Sequence, residues 1–387
     1  MKLMSITKAT KLYEAWLTTH IPVVAEDLLL KHQQMALGVF PFLRATFYRW
    51  AQVWPEVCAR FAAAPVVLAV GDLHVENFGT WRDAEGRLVW GVNDFDEACY
   101  LPYTNDLTRL ATSALLAIDS DHLRVKPKTA CEVLLEGYTD GLKAGGKPFV
   151  LAEDNEWLRK LAQSELRDPI LFWQKMDRLP TVTTSLPTSA KEGLESLLPA
   201  SGLKYTVKHR IAGLGSLGRQ RFVAVAEYAG GRVAREVKAL LPSAYLWAHH
   251  NDSPKEILYQ AALSQAVRCP DPFVQLRGQW IARRLAPDCS RVELTALPNE
   301  RDDLRLLHAM GRETANIHLG SPTAVAAIRR DLRKRAADWL SVAGEEMMQA
   351  TLRDWEGWRI HQQEENPPSE ARRPAANASR RKAVRAR

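Results

Sequence analysis

Residues 66–97 decide the fold class. They run Val66-Val67-Leu68-Ala69-Val70-Gly71-Asp72-Leu73-His74-Val75-Glu76-Asn77-Phe78-Gly79. After a turn at Asp83-Ala84-Glu85-Gly86 they return as Leu88-Val89-Trp90-Gly91-Val92-Asn93-Asp94-Phe95-Asp96-Glu97. The apolar, β-branched run Val66–Val70 predicts a short buried strand that delivers the chain into a loop carrying Asp72, His74 and Asn77. Phe78 to Asp94 reads as a hairpin, which folds its two ends together and brings Asn77 beside Asp94. An aspartate with an asparagine makes an oxygen ligand set for Mg2+, an ion that keeps its other positions for water and phosphate. Asp72 is then left to orient or deprotonate an attacking hydroxyl. Taken singly, Asp72 and Asn77 are ordinary loop residues that hydrogen-bond their own backbone. The chemistry rests on the trio.

A second constellation stands far along the chain. Gly213-Leu214-Gly215-Ser216-Leu217-Gly218 has the GxGxxG spacing used by dinucleotide-binding folds and by kinases alike. The residues after Gly218 separate the two. A dinucleotide loop opens a helix, whereas Arg221 to Tyr228 reads as a strand, turns at Gly230-Gly231 and returns through Val233 to Leu240. A glycine-rich loop between antiparallel strands is the kinase way of covering phosphates. Lys238 on the returning strand is placed to reach phosphate oxygens, with Gly213, Gly215, Ser216 and Gly218 around them.

The flanking chain is mostly helical. Apolar spacing over Leu28 to Val53 predicts amphipathic helices, Asn105 or Asp106 opens another, and helices are expected on to about Lys175. Thr181 to Ser189 reads as a linker. Tyr205 to Ile211 adds a strand, Ser253 to Arg268 a helix capped by Ser253, and Gln275 to Leu285 a further strand pair. Arg301 to Asn366 is helical. The chain thus divides into four segments: a helical lobe over 1–190 with the catalytic and metal loops, a β-rich nucleotide lobe over 200–290, helices over 291–365 completing the first lobe, and a basic, disordered tail over 366–387.

Composition narrows the class. The chain has 387 residues with 46% hydrophobic and 25% charged residues, and its apolar stretches are too short to cross a bilayer. Cys58, Cys99, Cys131, Cys269 and Cys289 form no CxxC pair, which reads as reduced thiols and a cytoplasmic location. The net charge of +7 is carried by the seven bases of residues 371–387; the rest is balanced. Nucleic acid is therefore a partner only through that tail, by phosphate contacts without sequence preference.

The residues also carry a resemblance. GDLHVEN (71–77) with NDFDEA (93–98) after it resembles the catalytic-loop and metal-loop pair of the aminoglycoside phosphotransferase and choline kinase group. Arg312 to His318 is similar to the helix that precedes the catalytic loop there. More closely, FLRATFYRW (42–50), GDLHVENFG (71–79), NDFDEACYLPYTNDLTRLATS (93–113) and AGLGSLG (212–218) together resemble the bacterial family called domain of unknown function 2252, over most of residues 30–320. That family carries no assigned activity.

The resemblance to the kinase group implies an α+β, two-lobed protein-kinase-like fold, circularly permuted, with a small antiparallel β lobe and a large, mostly helical lobe. It implies Asp72 as catalytic aspartate, Asn77 and Asp94 as metal ligands, Lys238 on the α- and β-phosphates, and Asp106 steadying the catalytic loop. Two departures stand out. Glu236 occupies a position two before the lysine where a small residue is usual, so it would crowd a nucleotide. The helix glutamate that pairs with the lysine would be Glu256, which also lies in the capping box Ser253-Pro254-Lys255-Glu256. His74 reads as a strut of the loop, and Arg44, Asp96 and Glu97 as residues facing the cleft.

The expected activity is Mg2+- and ATP-dependent phosphoryl transfer to a hydroxyl on a small-molecule or protein acceptor, bound around residues 120–190. A nucleotide-binding pseudokinase and a nucleotidyl (AMP) transferase are the alternatives on the same fold. A nucleic-acid-binding protein is the alternative from another class. Deleting 367–387 is expected to abolish any salt-sensitive retention on nucleic acid; a gel shift that persists unchanged would place such binding elsewhere.

Overall fold

The structure, a computed structural model, describes residues 3–152, 154–162, 168–249, 256–289, 291, 294 and 302–365. The first half of the chain contributes strands β1 (Val66–Ala69), β2 (Phe78–Arg82), β3 (Leu88–Val92), β4 (Cys99–Pro102) and β5 (Phe149–Val150). The second half contributes β6 (Thr206–His209), β7 (Arg221–Tyr228), β8 (Gly231–Ala239), β9 (Val274–Arg277) and β10 (Trp280–Leu285). They assemble into three small sheets: β1–β4, β2–β3–β5, and an antiparallel five-stranded sheet in the order β6-β7-β8-β10-β9. With the surrounding helices this is a mixed α and β architecture.

The strand pairings reflect alternating side chains on a half-buried sheet. One face of the five-stranded sheet carries Phe222, Val237, Ala282 and Trp280. It packs against helix Thr188–Glu195, with Gly193 close to Val237. Its opposite face carries Arg221, Glu236, Lys238 and Arg283, and Lys238 on this polar face reaches Asp94 and Asp96. The apolar core runs continuously from Tyr13 to Ala350, so the sheet and the helices share one interior.

Two helices far apart in sequence supply the scaffold beneath the loop. Pro127–Ala144 and Asp303–His318 lie in close contact. A Cβ on Gly137 would stand 2.1 Å from the His308 carbonyl oxygen, and one on Gly311 the same distance from that of Leu134. Only glycine allows backbones so near. The long helix Trp339–Glu365 packs on Tyr103–Asp119 and closes the other side. No helix among the described residues is long and apolar enough to cross a membrane.

Several expectations need correction. The helix expected to open at Asn105 or Asp106 begins at Tyr103, because Pro102 ends β4 and the Tyr103 N–H is taken by Pro65. The region read as helical to Lys175 is interrupted by β5, which pairs through Val150 and Phe149 with Val89 and Trp90. Within the supposed linker, Thr181 bridges to Lys208. The helix read from Ser253 to Arg268 runs over Tyr259–Gln265, while its supposed cap, Ser253, and the basic tail lie outside the described residues.

Replacing Gly311 by alanine is expected to lower the unfolding temperature. The forced separation costs about 1–3 kcal/mol or more, beyond the ~1 kcal/mol that alanine gains in helix propensity. Gly231→Ala, where nothing lies within 4 Å, is the matched control and is expected to leave the melt unchanged.

Candidate active site

The loop leaving β1 is held by Asp106. Its carboxylate accepts the Val70 N–H at 2.7 Å and the Gly71 N–H at 3.0 Å, closing the two backbone donors at the strand end. Gly71 has φ +80°, and a Cβ there would lie 2.3 Å from the Glu97 carbonyl oxygen, so this bend needs glycine. Behind Asp106, His318 Nε2 stands 3.2 Å from the carboxylate and its Nδ1 lies 2.9 Å from the Tyr138 hydroxyl. Asp106 and His318 are fully buried. Helix Asp303–His318 therefore ends against the residue that anchors a loop more than two hundred positions earlier in the chain.

Asp72 sits at the mouth of this loop. Its Oδ1 accepts from the buried Arg109, whose Nε is 2.8 Å away and whose Nη2 also donates to the Leu43 carbonyl. Burial pushes the Asp72 carboxyl up to about 6 against the pull of Arg109. A base near neutrality suits proton abstraction from a hydroxyl. His74 is buried and its Nδ1 accepts the Glu76 N–H at 3.2 Å. Burial and the nearby positive Arg44 and Arg109 hold its pKa well below the usual range, which makes it a neutral strut. Glu76 pairs with Arg44 at 2.5 Å.

The hairpin does bring its ends together. Asn77 Nδ2 donates to the Asp72 and Asp94 carbonyls, each at 3.1 Å, which turns its Oδ1 away from both. Glu313 on helix Asp303–His318 accepts the Val92 N–H at 3.2 Å and fixes the end of β3 from which Asp94 projects. Across the cleft, Lys238 Nζ lies 3.4 Å from each Asp94 oxygen and 2.5 Å from Asp96 Oδ1. Desolvation works against charge on Asp94, yet the Lys238 ammonium and the Asp96 side chain hold it well below the usual carboxylate range. Burial and the Asp94 charge push Asp96 up to about 7. Arg219 completes the row, 3.4 Å from Asp96 and 3.0 Å from Glu97, whose other oxygen accepts the Ala244 N–H.

The glycine segment lies directly over this row as a 3₁₀ turn, Leu214–Ser216. A Cβ on Gly215 would lie 3.0 Å from the Arg44 carbonyl and 3.6 Å from Asp72 Oδ2. Lys31 donates to the Gly215 carbonyl at 3.1 Å, and the Ser216 hydroxyl accepts from Arg221 at 2.7 Å. Gly213 and Gly218 both take positive φ at the ends of the turn. Arg44, Asp72, Asn77, Asp94, Asp96 and Glu97 face Gly213–Ser216 across one polar cleft.

One expectation about Lys238 differs from the structure. Its partners are Asp96 and Asp94 rather than Glu256, which is exposed and precedes the helix Tyr259–Gln265. Glu236 is wholly buried and held by Arg210, Arg221 and Arg283. Sequence reading also passed over Arg109, Arg219 and Lys31. Arg109 had a signal, since it stands one helical turn after Asp106 and so shares its face. Lys31 and Arg219 had none, because only tertiary contact brings them here.

The Asn77 amide oxygen and the ionised Asp94 carboxylate are oxygen donors of the kind a hard divalent cation takes. Residues 23–170 match a family described as an uncharacterized protein conserved in bacteria (DUF2252). No curated protein and no solved structure matches the chain.

Asp106→Ala is expected to strand the Val70 and Gly71 N–H groups in the interior and destabilise the chain by about 2–5 kcal/mol, read by urea unfolding. Tyr138→Phe removes only the outermost link and should cost about 1 kcal/mol.

Proposed function

We propose that this protein is a magnesium-dependent phosphotransferase that moves a phosphoryl group from a nucleoside triphosphate, ATP being the expected donor, to a hydroxyl acceptor. The observation that carries the reading is the meeting of Lys238 with Asp94, 144 residues apart, under a glycine turn that lies on Asp72. On this reading the fold is a two-lobed, kinase-like arrangement in permuted order. Helix Asp303–His318 leads in space into the loop at 70–77, and the five-stranded sheet forms the opposing lobe.

Each residue then has a task. Asn77 and Asp94 would hold Mg2+, which when bound neutralises charge on the transferring phosphates. Lys238 exchanges part of its contact with Asp94 and Asp96 for phosphate oxygens. Gly213–Ser216 covers the phosphates; since Gly215 now approaches Asp72 closely, donor entry requires this turn to lift. Asp72 accepts the acceptor's hydroxyl proton as its oxygen forms the new bond to phosphorus. The bond to the leaving oxygen breaks, and the nucleoside diphosphate departs.

An acceptor has a natural entrance beside the Arg44–Glu76 ion pair. Both residues also line a groove formed by Leu37–Pro41, Asp119, Ser120, His122, Leu352 and Trp355. That groove draws on four parts of the chain and touches the expected region 120–190 only at its edge.

Thermal melts should rise with MgATP and not with ATP plus chelator, because a ligand of the folded state stabilises it. Asp94→Ala should remove the rise. Asp72→Asn should keep it while lowering turnover by about 10²–10⁴. With Asp72 near 6 and needed as its carboxylate, the rate should fall as pH drops below 6 and level off above 7. Labelled AMP on the acceptor would reject phosphoryl transfer in favour of nucleotidyl transfer.

A further inference from the structure

The face of the five-stranded sheet that looks into the cleft has an unusual content. In an antiparallel sheet, directly opposed residues share a face. Lys238 stands opposite Arg221 on β7 and Ile281 on β10, while Glu236, two positions before it, stands opposite Val223 and Arg283. All six side chains therefore lie on the cleft side. The patch next to the lysine, where a planar base would need an apolar roof, is instead an ion cluster. Glu236 is 0% exposed and accepts from Arg283 at 2.8 Å, from Arg221 at 3.3 Å and from Arg210.

This cluster cannot step aside for a base. Displacing Glu236 would leave Arg221, itself only 4% exposed, with an uncompensated charge in the interior. Arg221 also donates to the Ser216 hydroxyl at 2.7 Å, which ties the cluster to the end of the glycine turn. Farther along the same face, Val223 is sealed under Met176 and Leu285, with Phe172 and Trp173 against them. Below, Arg268 lies over Trp81 and Phe95 and donates to the Val92 carbonyl, closing the floor behind Asp94. The aromatic residues lining the cleft, Tyr13, Phe47 and Tyr48, are each at most 4% exposed and present no open ring to stack on.

From this geometry we infer that the donor is recognised by its triphosphate and not by its base. The cleft selects a chain of phosphates with a divalent ion, and the base projects into solvent. Glu236, which by its position alone only crowds a nucleotide, is on this view the residue that removes base specificity. The inference rests on the phosphotransferase reading and deepens it by naming what the donor site reads.

The experiment compares thermal stabilisation of the full chain by ATP, GTP, CTP and inorganic tripolyphosphate, each with magnesium and again with chelator. Magnesium-dependent shifts are expected for all four, with apparent affinities within about threefold of one another. Lys238→Met should weaken all four by a similar factor. An affinity for ATP about tenfold or more above that for tripolyphosphate would overturn the inference and leave the phosphotransferase reading intact. No magnesium-dependent shift with any of the four would remove both.

Discussion

One buried cation organises the candidate site. The Lys238 ammonium is 1% exposed, and a charge so enclosed persists only when it is paired and hydrogen-bonded. Asp96 and Asp94 supply that pairing from a loop on the far side of the cleft. Arg219 ties Asp96 to Glu97, and Glu97 in turn holds the Ala244 N–H where the chain leaves the sheet. The approach of the sheet to the loop at 72–97 is therefore set by electrostatic necessity: separate the two and five charged side chains lose partners together.

The opposite end of the loop is governed by hydrogen-bond completeness rather than charge pairing. Val70 and Gly71 leave β1 with their N–H groups facing the interior, and Asp106 answers both. Because Asp106 is itself steadied by His318 and Tyr138, loop geometry depends on the glycine-lined contact between Pro127–Ala144 and Asp303–His318. Substitutions at Gly137 or Gly311 would thus reach Asp72 through a chain of named contacts, though neither touches the cleft.

Much of this architecture is legible in the sequence. The hairpin from Phe78 to Asp94 and the strand run before it stand where alternation and turn residues place them. The three strands around the glycine turn also match, because β-branched runs bounded by glycine pairs leave few alternatives. The spacing of the family pattern offers Glu256 as a candidate partner of Lys238, but the fold brings Asp94 and Asp96 to it, because spacing says nothing about which carboxylate packing brings near. The start of the helix at Tyr103 was also missed: Asn105 and Asp106 are good caps in the abstract, but Asp106 is spent on the loop instead of on its own helix. Glu236 looked like an obstacle, and its three arginines come from β7, β10 and the segment after β6, which only strand register can align.

What the order of residues determined alone is local. It set which stretches become strands, where they turn, and which loops carry carboxylates, amides or glycines, since these depend on side-chain alternation and backbone freedom over a few positions. Which charges meet was left to the tertiary structure. The pairing of residue 238 with 94 and 96, of 106 with 318, and of 236 with 210, 221 and 283 depends on how sheets and helices pack, because Coulomb attraction and desolvation act through space and ignore distance along the chain.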